Sequence, residues 1–331
     1  MTLYLGTPVR ATKTKDIKSR AELMLDIVGD AHPTAFEVWQ FTAGGMDDLQ
    51  HVNVQRASLL EVLGKRYADD HFISVQSRRK TGLGIDPFRA DSYFNILTPE
   101  GRTNLESNAK AARELDAAQL VFAPHTVFQH PEGYSPEFED PSYRQLLAKQ
   151  TVSVAKEVST EYGVPILVEQ PTIPLWGNLD NRREGTVHQA GFAYVEDLRP
   201  IPGEMLAFDI CHYVTAQYAA RQTTEGLFVP AAMNPGPQPS LLEALKTLQP
   251  RELHINDLGK ETWLPDVRTF AEGLIPGDGA IGVEGYKNVM RLVKERASAE
   301  DIVAIIEVED KDFSELNESK ESLKRVVDWL R

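Results

Sequence analysis

The sequence predicts an α/β fold: a single (β/α)8 TIM barrel over residues 1–331, with long βα loops at its C-terminal face. Three observations predict it. Short apolar runs alternate with stretches of helical period eight times along the chain. No linker, low-complexity tract or composition break interrupts that alternation, so one domain is expected. Five of the runs end in a carboxylate or an imidazole: LVFAPH (120–125), ILVEQ (166–170), MLAFDICH (205–212), ELHIND (252–257) and IVAIIEVED (302–310). A doubly wound open sheet is the competing architecture, but its switch point gathers ligands from only a few strands.

The elements follow in order. LYLGTP (3–8) is the first strand, and the helix after it, over 17–29, puts Ile17, Ala21, Met24, Leu25 and Val28 on one face. AFEVWQF (35–41), a helix over 47–65 and FISVQS (72–77) come next. Gly82, Gly84, Pro87 and Pro99 make 78–100 a loop. The helix over 101–116 carries Leu105, Ala109, Ala112 and Leu115 on one side and leads to the fourth strand, QLVFAPH. Residues 126–140 are rich in Pro, Gly and aromatics, the composition of a substrate-facing loop. A helix over 141–162 leads to ILVEQ. The segment 171–204 is long, with Trp176 and a helix expected near 186–197. MLAFDI is the sixth strand, and 213–239 reads as another long connection ending in the breakers NPGPQPS. Ser240 can cap a helix over 241–248. ELHIN is the seventh strand, a helix over 283–297 leads to the eighth, IVAIIEV, and a helix over 314–330 closes the barrel.

Apolar residues make up 42% of the chain and charged residues 25%, the balance of a soluble globular protein with ample core. The net charge of −14 disfavours broad non-specific binding to nucleic acid or anionic lipid. A single cysteine, Cys211, excludes an internal disulfide and suits a reducing compartment. Lying between Asp209 and His212, it is either a thiolate or a small core residue. The opening MTLYLGTPVRATKTKD lacks the pattern of a signal peptide, and no apolar run approaches the ~20 residues that span a bilayer. A cytoplasmic enzyme is the expectation.

In such a barrel the last inward-pointing residues of each strand converge on the axis. Glu169, Asp209, His254 and Glu307 occupy those positions on strands five to eight. Three carboxylates and an imidazole form a mainly hard donor set, suited to one divalent ion: Mn²⁺, Mg²⁺, Co²⁺, Fe²⁺ or Zn²⁺. Structural ion pairing is the alternative, because buried carboxylates need partners of some kind. His212 lies just past its strand and is placed to meet substrate; His125 is either a substrate contact or a satisfied loop histidine. Asp257 is a candidate partner for a ligand. Lys260 can meet a hydroxyl or phosphate, or be solvated. Trp176 and Trp263 can stack on a sugar ring or pack their own loops. IPGDGAIG (275–282) is either a phosphate loop or a tight βα turn.

LVEQ, FDICH, LHIND, PGDGAIG and IIEVED, in that order, resemble the xylose isomerase-like TIM barrels, over roughly residues 70–310. That superfamily contains sugar isomerases and epimerases, inosose dehydratases and the endonuclease IV family. FNILTPEG with the helix after it, and AIG after the Gly-rich loop, are similar to the endonuclease IV branch. That branch builds three zinc sites, using a histidine on strand three and an Asp-Arg-His triplet after strand seven. This chain offers Gln76 or Ser77 at the first place and Asp266-Val267-Arg268 at the second, so two of the three sites lose ligands. The remaining site resembles the single metal centre of the ketose epimerases. The resemblance implies that Glu169 and Glu307 also act as acid and base on opposite faces of a substrate carbon, and that His212 touches substrate. It further implies a small sugar-like substrate and barrels that pair as homo-oligomers. An endonuclease IV-like phosphodiesterase, a sugar dehydratase or lyase, and a non-catalytic binding protein are the rival functions.

Overall fold

The computed structural model describes residues 1–10, 14–29, 31–39, 57, 61, 71–76, 96–97, 99–123, 127–128, 140–170, 188–189, 194–221, 236–259, 263–264, 269–270, 272–308, 310–311 and 315–331. Eight strands form the barrel: β1 (Leu3–Arg10), β2 (Thr34–Trp39), β3 (His71–Gln76), β4 (Gln119–Phe122), β5 (Ile166–Glu169), β6 (Leu206–Asp209), β7 (Glu252–Ile255) and β8 (Ile302–Ile306). Each pairs in parallel with its sequence neighbour, and β8 returns to β1 with Leu3 opposite Ile302, so the sheet closes.

Parallel strands covered on both faces read as unbroken apolar runs, and β4 through β8 are buried at every position. Alternation then sorts the side chains. Leu120, Phe122, Ile166, Val168, Leu206, Phe208, Leu253, Ile255, Ile302 and Ile306 point outward into the main core beneath the helices. Val121, Leu167 and Ala207 form one small cluster inside the barrel, and Ala35, Val303 and Ile305 another. Glu169 is two residues beyond Leu167, Asp209 two beyond Ala207 and Glu307 two beyond Ile305, so the interior face carries them to the mouth. At Gly6 a Cβ would stand 2.5 Å from Ile305 Cδ1 and 2.8 Å from Ala35 Cβ; the interior has no room for a side chain there.

The helices are α1 (Thr14–Ile27), α2 (Pro99–Glu114), α3 (Pro141–Tyr162), α4 (Val195–Leu198), α5 (Ile210–Arg221), α6 (Leu241–Leu248), α7 (Gly282–Ala297) and α8 (Asn317–Leu330). Asp140 caps α3 through Ser142 N, with Pro141 at the first position, and Gly163 ends it at φ 69°. Ser240 and Glu243 form a reciprocal capping box on α6. Two expectations change. Residues 213–221, expected to open the connection over 213–239, belong to helix α5 (Ile210–Arg221), because Asp209 Oδ1 accepts from His212 N at 2.9 Å and starts a helix directly at the strand end. Near 186–197 only Val195–Leu198 are helical among the described residues, while His188–Gln189 pair antiparallel with Val127–Phe128. Of the helix expected over 47–65, only Ala57 and Glu61 are among the described residues, and both are helical. Among the described residues no helix is long and apolar enough to cross a membrane.

Candidate metal centre

The ends of β5, β6, β7 and β8 bring four polar side chains to one point. His254, fully buried, sits at its centre. Its Nδ1 lies 3.3 Å from Glu307 Oε2, 3.4 Å from Glu169 Oε1 and 3.8 Å from Asp209 Oδ2. That nitrogen is buried without a well-aligned hydrogen-bond partner among the described residues. Four donors held tetrahedrally at about 2.1 Å from one ion stand about 3.4 Å apart. The three distances from Nδ1, 3.3 to 3.8 Å, bracket that figure.

Charge points the same way. Burial, reinforced by Glu307 and Glu169, holds Asp209 above the usual carboxylate range against the pull of the histidines. Burial also raises Glu307, with Glu37 and Glu169 adding to it and His254 opposing. Burial alone would lower the His254 pKa, but Glu307, Glu37 and Glu169 together outweigh it and hold it well above its ordinary value. Acids and bases displaced upward together mark an excess of buried negative charge, which a divalent cation would neutralise. Two overlapping groups have the spacing to hold a metal: Glu169, Asp209 and His254, and Glu37, His254 and Glu307.

His212 stands beside this cluster. Its Nδ1 donates to Gln170 O at 2.7 Å, which leaves Nε2 facing the mouth, 3.9 Å from both Asp209 Oδ2 and Glu272 Oε2. Burial would lower the His212 pKa, but Asp209, Glu272 and Glu169 carry it up to about 9. Burial, reinforced by Asp209 and opposed by His212, pushes the Glu272 carboxyl up to about 7. Asn256 steadies Asp209 by donating from Nδ2 to Oδ2 at 3.3 Å, and its own carbonyl accepts from Cys211 Sγ and Tyr286 Oη. Cys211 is thus a core residue, its thiol pushed well up by burial and facing backbone.

Asp257 does not support a ligand. Its carboxylate accepts from the backbone N–H groups of Leu258 at 2.9 Å, Gly277 and Gly279 at 3.0 Å, and Ile281 at 3.2 Å. Those are the amides a phosphate loop would offer, so among the described residues IPGDGAIG is a βα turn closed on an internal anion. Glu37, Glu252, Glu272 and Asn256 were not anticipated. Glu37 lies within its run and Glu252 opens its own, so neither stands at the C-terminal end where ligands are expected, although a carboxylate flanked by apolar residues, as in AFEVW, is itself a signal. His125, Trp176, Lys260, Ser77 and Asp266–Arg268 lie outside the described residues, as do the side chains of Gln76 and Trp263.

The chain matches no protein-family model and no curated protein sequence. It is similar in structure to endonuclease IV from Thermus thermophilus, with a TM-score of 0.52, 16% identity, and 99% of this chain and 98% of that one covered. It is similar to the IolI protein with a bound zinc atom, with a TM-score of 0.53 and 15% identity over 100% and 98% of the two chains. It is also similar to D-psicose 3-epimerase from Clostridium cellulolyticum, solved with D-tagatose, with a TM-score of 0.51 and 11% identity over 100% and 97%.

Proposed function

We propose that this chain, which has the xylose isomerase-like TIM-barrel fold, is a divalent-metal-dependent isomerase or epimerase of a sugar or related polyhydroxylated carbonyl compound. The observation that carries the reading is the convergence of Glu169, Asp209 and Glu307 on His254 Nδ1 at the barrel mouth. These four residues would hold one ion, which when bound supplies Lewis-acid polarisation of a substrate carbonyl. Glu169 and Glu307 are the acid and base. Each carboxylate has two oxygens, so one can hold the ion while the other takes or returns the proton on the carbon beside the carbonyl. Burial raises the Glu307 carboxyl above its ordinary range, toward what proton transfer near neutral pH requires. His212, fixed through Nδ1 by Gln170 O, presents Nε2 to a substrate hydroxyl. His125, Lys260 and Trp176 are further candidate substrate contacts from the sequence. A sugar-like substrate is the choice because the D-tagatose-bound epimerase shares the fold. A dehydratase or lyase would use the same acid and base with loss of a β-hydroxyl.

The test is solvent exchange. Turnover of ketose candidates in D₂O should place deuterium on the carbon next to the carbonyl, and chelation should abolish it. A substrate labelled with deuterium at that carbon is followed in parallel. Transfer of the label intact within the product, with none taken from solvent, would mean hydride transfer or a proton shielded from water, and would sink the reading of paired glutamates exchanging that proton with solvent.

A further inference from the structure

His254 presents its two ring nitrogens to different carboxylates. Nδ1 faces the mouth. Nε2 faces down the barrel, where Glu252 Oε1 and Glu37 Oε1 each lie 3.3 Å away. Glu252 and Glu37 are both 0% exposed. Glu252 precedes His254 by two residues on β7, so both share the interior face, with Glu252 one layer deeper. Its second oxygen is engaged as well: Gln119 Nε2, from β4, donates to Glu252 Oε2. Arg251 Nε in turn donates to Gln119 Oε1 at 3.1 Å. The result is a relay of fixed polarity, from a part-buried Arg251 to the buried Gln119 and Glu252, ending on the imidazole. The acid–base chemistry described above makes no use of it.

A neutral imidazole that offers one nitrogen to a cation carries its proton on the other. Which nitrogen is free is set by what the other one bonds to. We propose that Glu252, anchored by Gln119 and Arg251 and backed by Glu37, is a positioning residue that keeps the proton on His254 Nε2 and so turns the Nδ1 lone pair toward Glu169, Asp209 and Glu307. The inference rests on the reading of that cluster as a metal site. It puts a determinant of metal affinity one layer below the mouth, on residues that touch neither ion nor substrate. The relay has a direction because Arg251 only donates, Gln119 accepts through its oxygen and donates through its nitrogen, and the Glu252 carboxylate only accepts. A glutamine at 252 would have one acceptor oxygen for two donors, Gln119 Nε2 and His254 Nε2; turning Gln119 over to compensate would set its amide nitrogen against Arg251 Nε.

The experiment compares the wild-type chain with Glu252→Gln, Glu37→Gln and the double variant. Zn²⁺ affinity is measured by chelator competition at fixed pH, and the His254 ring nitrogens are followed by ¹⁵N resonance in the Zn²⁺-loaded protein. The wild type should show a metal-bound Nδ1 and a protonated Nε2. Glu252→Gln should weaken Zn²⁺ binding by about 10- to 100-fold and shift the Nε2 resonance, and the double variant should lose more. A purely structural role for Glu252 would lower the melting temperature and leave the ring nitrogens of the loaded protein unmoved. Should Glu252→Gln not fold, Gln119→Met removes only the anchor and should give a smaller loss in the same direction. Wild-type zinc affinity with unchanged His254 resonances in Glu252→Gln, or in Gln119→Met in its place, overturns the inference. So does weakening confined to Glu37→Gln. A wild-type chain that takes up no Zn²⁺, Mn²⁺ or Co²⁺ overturns the metal-site reading itself, which is a distinguishable result.

Discussion

Asp209 shows how much one side chain carries at this mouth. It faces His254 Nδ1 through Oδ2, accepts from Asn256, and caps α5 through Oδ1. Removing it would therefore perturb fold and chemistry together, which makes Glu169 the cleaner probe. Glu169→Gln keeps size and removes a basic oxygen. Turnover should fall by roughly 10²-fold or more, with metal content measured in the same sample because the residue is also a proposed ligand; full activity with the ion in place would end the mechanism. His212→Ala should act on substrate and not on the ion: metal content stays at the wild-type level while KM rises. The four strand-end residues were legible because a charge that ends an apolar run has few destinations in a barrel. Glu37 and Glu252 were not, because nothing in the local pattern says which interior layer a carboxylate away from its strand's C-terminal end will occupy, and side-chain contacts inside the barrel from β2, β4 and β7 decide it.

The connection from β7 to α7 is organised by Asp257, and it can be tested as an element. A Cβ at Gly279 would stand 2.3 Å from Leu258 O and 2.4 Å from Asp257 Oδ1, and the first of these is backbone that cannot step aside cheaply. Gly279→Ala should cost roughly 1–3 kcal/mol in urea unfolding. A second element-scale test concerns α3 and α4, joined by the buried pair Arg144 Nε–Asp197 Oδ2 at 2.8 Å. Burial pushes the Asp197 carboxyl up to about 6 against the pull of Arg144. A carboxyl whose folded value lies above its unfolded one binds the proton more tightly when folded. Its contribution is therefore complete below about pH 4 and is lost as pH rises through about 6. Asp197→Asn should remove that slope, so the stability gap between wild type and variant should change by roughly 2–3 kcal/mol from pH 4 to pH 7; an unchanged gap would refute the shift. The sequence placed α3 and α6 at their observed limits because both have strong stops, Pro141 and Gly163 for one and the Ser240 box for the other. It missed α5 because the strand turns into the helix at Asp209 with no loop residue between them, and the breakers that end the segment drew the whole of it into one connection.

For the molecule as a whole, metal stoichiometry separates the epimerase-like reading from the phosphodiesterase one. One tightly bound divalent ion per chain is expected by elemental analysis of the purified protein, and two or three zinc ions would move the assignment to the endonuclease IV-like chemistry. An ion that binds only the folded barrel also stabilises it, by about 2.7 kcal/mol at a free concentration 100 times its Kd. Melting temperature should therefore rise with added metal and fall with chelator. The barrel was legible as a whole because all eight strand runs are distinct and evenly interleaved with helices. The loops that would choose a substrate carry no comparable periodicity, and most of their residues lie outside those described.

Closure of β8 onto β1 has a consequence for biosynthesis. Glu307 follows the eighth strand, so the four-residue cluster around His254 cannot exist on a nascent chain that stops short of it. At about 5–20 residues per second, roughly 15–60 s separate translation of β1 from that of β8. Through that interval β1 and whichever strand was made last, finally β7, are open sheet edges, the surfaces most prone to mispairing and to chaperone capture. The group of Glu169, Asp209 and His254 is in hand once β7 has been made, but the fourth carboxylate, Glu307, joins it only after the eighth strand, so the full cluster is the last part of the mouth to be assembled.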